Sequence, residues 1–161
     1  MRTRTLLAAV AGALLLLPAS ADAQIRIGPQ LSWGGDTDLG IGGRVLANVG
    51  ALNHWDFIGT FDVFFPDDSP TNDVSYWEAN GNLAYNFGVP DLSTLSPYVG
   101  MGLNIAHVSV DRESGNFDDT DLGINFFVGN QFDAGSTTPF AELRVVAEGA
   151  SQVVLTGGLL F

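Results

Sequence analysis

The chain has 161 residues, a formal net charge of −12, no cysteine and no lysine. It therefore folds without disulfides, and its acidity argues against nucleic acid, which rewards basic surfaces, and against polybasic reading of anionic lipid. Beyond the N-terminal segment there is no apolar run of the roughly 18 or more residues that a spanning helix needs.

In chain order, the first stretch, "MRTRTLLAAVAGALLLLPASADAQ", has a basic start at Arg2 and Arg4, an apolar core from Leu6 to Leu17 and a small-x-small site at Ala21-Asp22-Ala23. That is the pattern of a secretory signal peptide, residues 1–23, cleaved before Gln24. No cysteine follows the apolar core, which excludes a lipoprotein anchor. Residues 24–161 are the size of one domain.

From Gln24 onward the apolar residues fall two apart, the period of a strand with one apolar face. In "IRIGPQLSW" the odd positions are Ile25, Ile27, Pro29, Leu31 and Trp33, and the even ones Arg26, Gly28, Gln30 and Ser32. A second run opposes Leu39, Ile41, Gly43, Val45, Ala47 and Val49 to Gly40, Gly42, Arg44, Leu46 and Asn48. The third sets Trp55, Phe57, Gly59, Phe61, Val63 and Phe65 against Asp56, Thr60 and Asp62. The fourth, Tyr76 to Phe87, sets Trp77, Ala79, Leu83, Tyr85 and Phe87 against Glu78, Asn80, Asn82 and Asn86.

The second half repeats the scheme. "PYVGMGLNIAHV" alternates Val99, Met101, Leu103 and Ile105 with Tyr98, Gly100, Gly102 and Asn104. "DLGINFFVGNQF" places Leu122, Ile124, Phe126, Val128 and Phe132 opposite Asp121, Gly123, Asn125 and Gln131. "PFAELRVVAE" places Ala141, Leu143, Val145 and Ala147 opposite Glu142, Arg144 and Glu148. The last run, "SQVVLTGGLLF", puts Val153, Leu155, Leu159 and Phe161 on one parity. The eight strands are joined by turn-like links: "GGDTD", "GALNH", "PDDSPTND", "GVPDLSTLS", "SVDRESGNFDDT", "DAGSTT" and "GAS".

Charges avoid the apolar parity and sit on the other, at Arg44, Asp62, Glu78, Glu142 and Arg144, among glycine and asparagine. That is the inside-out pattern of a transmembrane barrel: apolar outside, polar or salt-bridged inside. With the N-terminus at the periplasmic side, Trp33, Phe65 and Trp77 fall near the outer rim. Trp55, Phe87, Phe132 and Phe161 fall near the inner rim, giving two aromatic girdles at headgroup level. An even strand count lets the last strand pair with the first, so no backbone edge faces lipid.

On these residues, and particularly on "PYVGMGLNIA", "PFAELRVVAE" and "LTGGLLF", the chain from residue 24 to 161 resembles the small eight-stranded outer-membrane barrels of the OmpA/OmpX type. The resemblance implies an all-β, closed, antiparallel up-and-down barrel in the outer membrane of a Gram-negative-type bacterium, porin-like in architecture. It also implies a monomer set among lipid and lipopolysaccharide. Leu159 and Phe161 resemble the C-terminal signal read by the barrel-assembly machinery, although Gly157 lies one position from the family's usual glycine. No peptidoglycan-binding domain is recognisable after the barrel.

For function, the lumen is expected to hold Arg44 and Arg144 with Asp56, Asp62, Glu78, Glu142 and Glu148. Arg44 is expected to pair with Asp62 on the adjacent strand, filling the lumen rather than gating a narrow pore. "HVS" places His107 and Ser109 on one face, with Asp121 downstream, similar to the His-x-Ser pair and acid of the outer-membrane lipid A deacylase barrels. The departures are that the pair follows the fifth strand rather than a late one, that Val110 follows where that family has asparagine, and that Asp121 has lumen parity. The reading is therefore a structural or interaction protein and not an enzyme. The acidic segments "DRESGNFDDTD", "PDDSPTND" and "GGDTD" read as solvated outer loops and match no EF-hand spacing. His54, in a turn, has no candidate ligand partners, and neither metal nor cofactor is expected.

Overall fold

The computed structural model describes residues 24–35, 37–48, 54–66, 72–87, 94–112, 117–147 and 152–161. They form β1 (Ile25–Gly34), β2 (Asp38–Asn48), β3 (Trp55–Phe65), β4 (Asn72–Asn86), β5 (Leu95–Arg112), β6 (Phe117–Phe132), β7 (Thr138–Ala147) and β8 (Gln152–Leu160). Each strand pairs antiparallel with the next and β8 with β1, closing one eight-stranded barrel. The start of β1, the end of β8 and the strand ends joined after β2, β4 and β6 lie at one end, the termini end; the strand ends joined after β1, β3, β5 and β7 lie at the other, the loop end.

Closure rests on the β1–β8 seam. Gln30 to Gly34 face Gly158 to Val154, and farther along Ile27 and Phe161 exchange both backbone hydrogen bonds, at 3.3 and 2.9 Å. Pro29 has no N–H to give where the ladder is interrupted between them. At Gly28 the chains approach so closely that a Cβ would fall on the Leu159 carbonyl oxygen, so only glycine fits. The Phe161 aromatic end is thus tied by its backbone to β1 and leaves its ring 61 % exposed.

The parity reading of inside and outside holds strand by strand. Leu31, Ile41, Met101, Leu103, Phe126, Val128 and Leu155 are each half or more exposed on the outer face, far more contiguous apolar surface than a water-soluble monomer presents. Gln30, Ser32, Arg44, Asp62, Glu78, Asn104, Asn125 and Arg144 are buried inside.

Two things differ from the sequence reading. First, the interior is not polar throughout. Inward positions near the termini end carry a packed apolar group of Leu46, Ile58, Ala84, Tyr98, Phe127, Phe140 and Leu160, and near the loop end Phe64, Val146 and Val154 with Tyr76 against them. An eight-stranded barrel has room inside for side chains only, so these two layers enclose a polar middle.

Second, the stretch expected as the loop "SVDRESGNFDDT" is mostly strand. β5 continues to Arg112 and β6 begins at Phe117, with pairs running to Val110↔Phe117. β4 likewise starts at Asn72 rather than Tyr76 and stays paired with β5 to Asn72↔Arg112. Beyond the belt both faces of a strand meet water, so alternation, the signal that marks a strand, is lost while the backbone ladder goes on. The segment "DAGSTT" is the tight hairpin expected: Gly135 has φ +79°, Asp133 Oδ1 accepts the Gly135 N–H at 3.0 Å, and Ala134 bridges Thr137.

Candidate functional site: the lumen network and the loop-end sheet

The polar middle is built from inward positions of all eight strands. Arg44 on β2 reaches across the barrel to Glu142 on β7. Its Nη2 lies 2.9 Å from Oε1, and its Nη1 donates to Oε2 at 2.9 Å. Tyr98 Oη donates to the same Oε2 at 2.9 Å and accepts from Arg44 Nη1 at 3.3 Å. Arg44 Nε donates to Gln30 Oε1 at 3.0 Å, and the guanidinium carbon sits 4.0 Å from the Phe140 ring centre, a cation–π contact on the edge of the apolar layer.

The expected Arg44–Asp62 pair is not formed. Asp62, fully buried, accepts from Gln30 Nε2 with both oxygens at 2.8 Å and from Ser32 Oγ at 3.0 Å. Among the described residues it has no cationic partner. The reason is geometric: a long arginine in so narrow a lumen reaches a facing strand more readily than its neighbour.

Arg144 on β7 pairs with Glu78 on β4, again across the lumen, with Nη2 to Oε2 at 3.4 Å. Glu78 also accepts from Tyr76 Oη at 2.8 Å, from Asn104 Nδ2 at 3.2 Å and from Gln152 Nε2. An amide chain continues from there. Asn104 and Asn125 both donate to Asn80 Oδ1, at 2.9 and 2.7 Å, and Asn80 donates to Thr60 at 3.0 Å. At the termini end Asp56 is held by Asn48 and Asn86, at 3.0 and 2.8 Å, and Arg26 donates to Thr138 and Gln131 at 3.0 and 3.1 Å. Glu148 lies outside the described residues.

The aromatic residues fall at the two ends of the belt. Trp33, Phe65 and Trp77 flank the loop end on the outer face, Trp77 stacked 5.3 Å from His107. Trp55, Phe87, Phe132 and Phe161 flank the termini end, with Trp55 and Phe87 packed edge-on to Tyr85. Leu159 is outward beside them, and His54 sits exposed at the turn before β3 with φ 74°.

His107 and Ser109 share a face of β5 as expected, but inside the strand rather than after it. No triad is assembled. His107 Nδ1 is 2.8 Å from Thr120 Oγ1, and Ser109 donates to Asp118 Oδ1 at 2.6 Å. Asp121 lies opposite Ala106 and points to the other face. A serine bound directly to an acid, with the histidine committed to a threonine, lacks the base-to-nucleophile link that hydrolysis needs.

No protein-family model and no curated protein matches the sequence. Solved structures do match. The crystal structure of Neisserial surface protein A aligns with a TM-score of 0.65 at 17 % identity, over 86 % of this chain and 97 % of that one. The N-terminal β-barrel domain of Pseudomonas aeruginosa OprF gives 0.70 at 13 %, over 87 % and 96 %. Ail, the attachment invasion locus protein of Yersinia pestis, gives 0.65 at 15 %, over 86 % and 95 %.

The fold is that of the small eight-stranded outer-membrane barrels.

At such identities the likeness is one of fold, and the chemistry has to be read from this barrel's own residues. Sequence reasoning singled out Arg44, Asp62, Glu78, Glu142 and Arg144, and the structure buries all five inside the barrel. It missed Gln30, Ser32 and Tyr98, which tie those charges together, because a neutral inward residue carries no signal beyond parity. The acidic segment "PDDSPTND" and the tip of "DRESGNFDDTD" lie largely outside the described residues, as does Asp36 of "GGDTD".

Proposed function

We propose that the chain is exported by its N-terminal segment and inserted in the outer membrane as a monomeric barrel. In this reading the barrel is closed to passage and serves the envelope structurally and through contacts at its loop end. The observation that carries this reading is the layered interior: a charged middle held by cross-lumen pairs between two apolar layers, Leu46–Ile58–Phe140–Leu160 below and Phe64–Val146–Val154 above. A hydrated ion crossing it would have to shed its water twice against apolar side chains.

The exposed apolar belt supports a lipid environment, with lipopolysaccharide as the outer-leaflet neighbour. The acidic loop end supports a contact surface facing outward. The name of the Yersinia protein speaks of attachment and invasion; a contact role for this chain is our own reading. The enzyme reading, through His107 and Ser109, draws no support from their partners.

The test is a planar-bilayer recording on the purified barrel. The expected result is no discrete conductance above the bare membrane, for the natural chain and for Arg144→Ala alike. Unitary steps that change with Arg144→Ala would replace the closed barrel with a narrow pore.

A further inference from the structure

The outer face of the barrel is hollowed on one side. Four neighbouring outward positions there are glycine or alanine: Gly43 on β2, Gly59 on β3, and Ala79 and Gly81 on β4. Gly59 lies opposite Gly81, and Phe61 lies opposite Gly43 on one side and Ala79 on the other. Around them is a groove of about 800 Å³. Phe57 and Phe61 stand on either side of Gly59 as its walls, both half-buried although they point outward. Leu103 and Ile105 bound it on β5, and Ile27 and Phe161 lie at its opposite end.

Packing within the chain does not ask for glycine at these places. On the inward side it does: a Cβ would run into the Phe64 ring at Gly40 and into the Phe127 ring at Gly100. At Gly43 and Gly81 the nearest atom to such a Cβ would be 3.9 and 4.0 Å away, an ordinary contact. Glycine in a strand costs stability relative to a residue with a side chain. What the outward glycines supply in return is room for atoms that this chain does not provide.

Direction and chemistry say which atoms. The register row Ile27–Val45–Gly59–Gly81–Leu103 crosses from β1 to β5, a path of about 19 Å at roughly 4.8 Å per strand. Because barrel strands tilt, such a row is oblique to the membrane. It climbs from beside Phe161, in the termini-end girdle, to Leu103 in the middle of the span. That is the depth of one leaflet of hydrocarbon, about 15 Å. The polar residues at its floor, Arg44, Thr60 and Asn80, turn their side chains into the lumen, where Arg44 meets Glu142 and Asn80 meets Thr60. The groove is thus continuous with the apolar belt and offers a polar ligand no side-chain partner. A second copy across a two-fold axis at this place would set hollow against hollow. A flexible hydrocarbon chain fits both the length and the lining.

We propose that this groove seats one acyl chain of a phospholipid from the leaflet at the termini end. The headgroup lies level with Phe161, the chain crosses the glycines between Phe57 and Phe61, and its methyl end reaches Leu103. The seated chain gains dispersion contacts on three sides, where a convex wall offers one. This rests on the membrane-inserted barrel of the proposed function and gives that barrel a lipid site.

The experiment is native mass spectrometry of the full barrel, refolded in detergent micelles that carry dipalmitoyl phosphatidylethanolamine. The compact-to-boiled gel shift of the same sample confirms that the barrel has formed, so a failure of the lipid site is separate from a failure of the barrel reading. The natural chain should retain one lipid. The Gly43→Leu, Gly81→Leu variant fills the groove and should retain roughly tenfold less. If that variant shows no gel shift, Gly81→Leu alone makes the same comparison. Gly157→Leu places the same side chain on the outer face of β8, away from the groove and with its Cβ 3.7 Å from the nearest atom, and should retain lipid as the natural chain does. The dioctanoyl lipid, whose chains are too short to reach Leu103, should be held more weakly than the dipalmitoyl form. No retained lipid on a natural chain that shows the gel shift would overturn the proposal, as would equal retention by the filled variant or equal retention of the two lipids. A dimer that is lost on filling the groove would assign it to a second copy and overturn the proposal too.

Discussion

Leu103→Arg should lower the folding stability of the barrel in lipid vesicles by about 2–4 kcal/mol, the cost of a cation at the bilayer midplane on the lipid face of a barrel. Leu103 is 67 % exposed and lies in the middle of the span of β5, facing Gly81 on one side and Ile124 on the other. In a water-soluble barrel the same change would put a charge where charges belong and move stability by no more than about 0.5 kcal/mol. Leu122, even more exposed at 77 %, sits above the last β6–β7 pair, toward the loop end. Leu122→Arg should therefore cost about 0–1 kcal/mol, as near an interface. Urea titration of both variants in vesicles, read by the gel shift on boiling, measures the gradient. It tests the sign of the outer face and the height of the belt together.

The second large effect is inside. Arg44→Met should cost about 3–5 kcal/mol, because it leaves the Glu142 carboxylate buried without its cation. Arg44 is the hub of the middle layer: it meets Glu142 through two nitrogens, supports Tyr98 and Gln30, and lies over Phe140. Its loss also frees Gln30, the donor that holds both oxygens of Asp62. The double variant Arg44→Met, Glu142→Gln should regain most of that loss, since a neutral amide needs no counter-charge. Because the pair is shielded from solvent, raising salt from 0.1 to about 1 M should leave the difference between single and double variant unchanged. A surface pair would lose its small contribution under the same treatment.

Much of this architecture is legible in the chain, for a definite reason. A strand in a thin wall has one side in lipid and one in the lumen, so Trp33 beside Ser32, or Leu143 beside Glu142, reports its own direction. Three features were not legible. Ile58, Phe64, Phe127 and Val146 fall on the polar parity and look like noise along any one strand. Only when the barrel closes do they gather with inward residues of other strands into the two apolar layers. The ion pairs run between strands far apart in sequence, Arg44 with Glu142 and Arg144 with Glu78, so neighbour relations misdirect the assignment toward Asp62. Finally, Asp118, Asp119 and Asp121 read as loop because charge on both faces erases the period of two, although His107 to Val110 pair with them or beside them as a continuous ladder.

Contact of the outer face with lipid is what tryptophan quenching by brominated lipids measures directly. Trp33 is 59 % exposed at the loop end and Trp55 is 38 % exposed at the termini end. Single-tryptophan variants retaining Trp33 or Trp55 would be refolded into vesicles brominated either near the headgroup or deep in the acyl chain. Both should be quenched, and more strongly by the shallow bromines, as expected of rings at the two interfaces. Emission untouched by either lipid, yet fully open to aqueous iodide, would place these faces in water and contradict the membrane barrel.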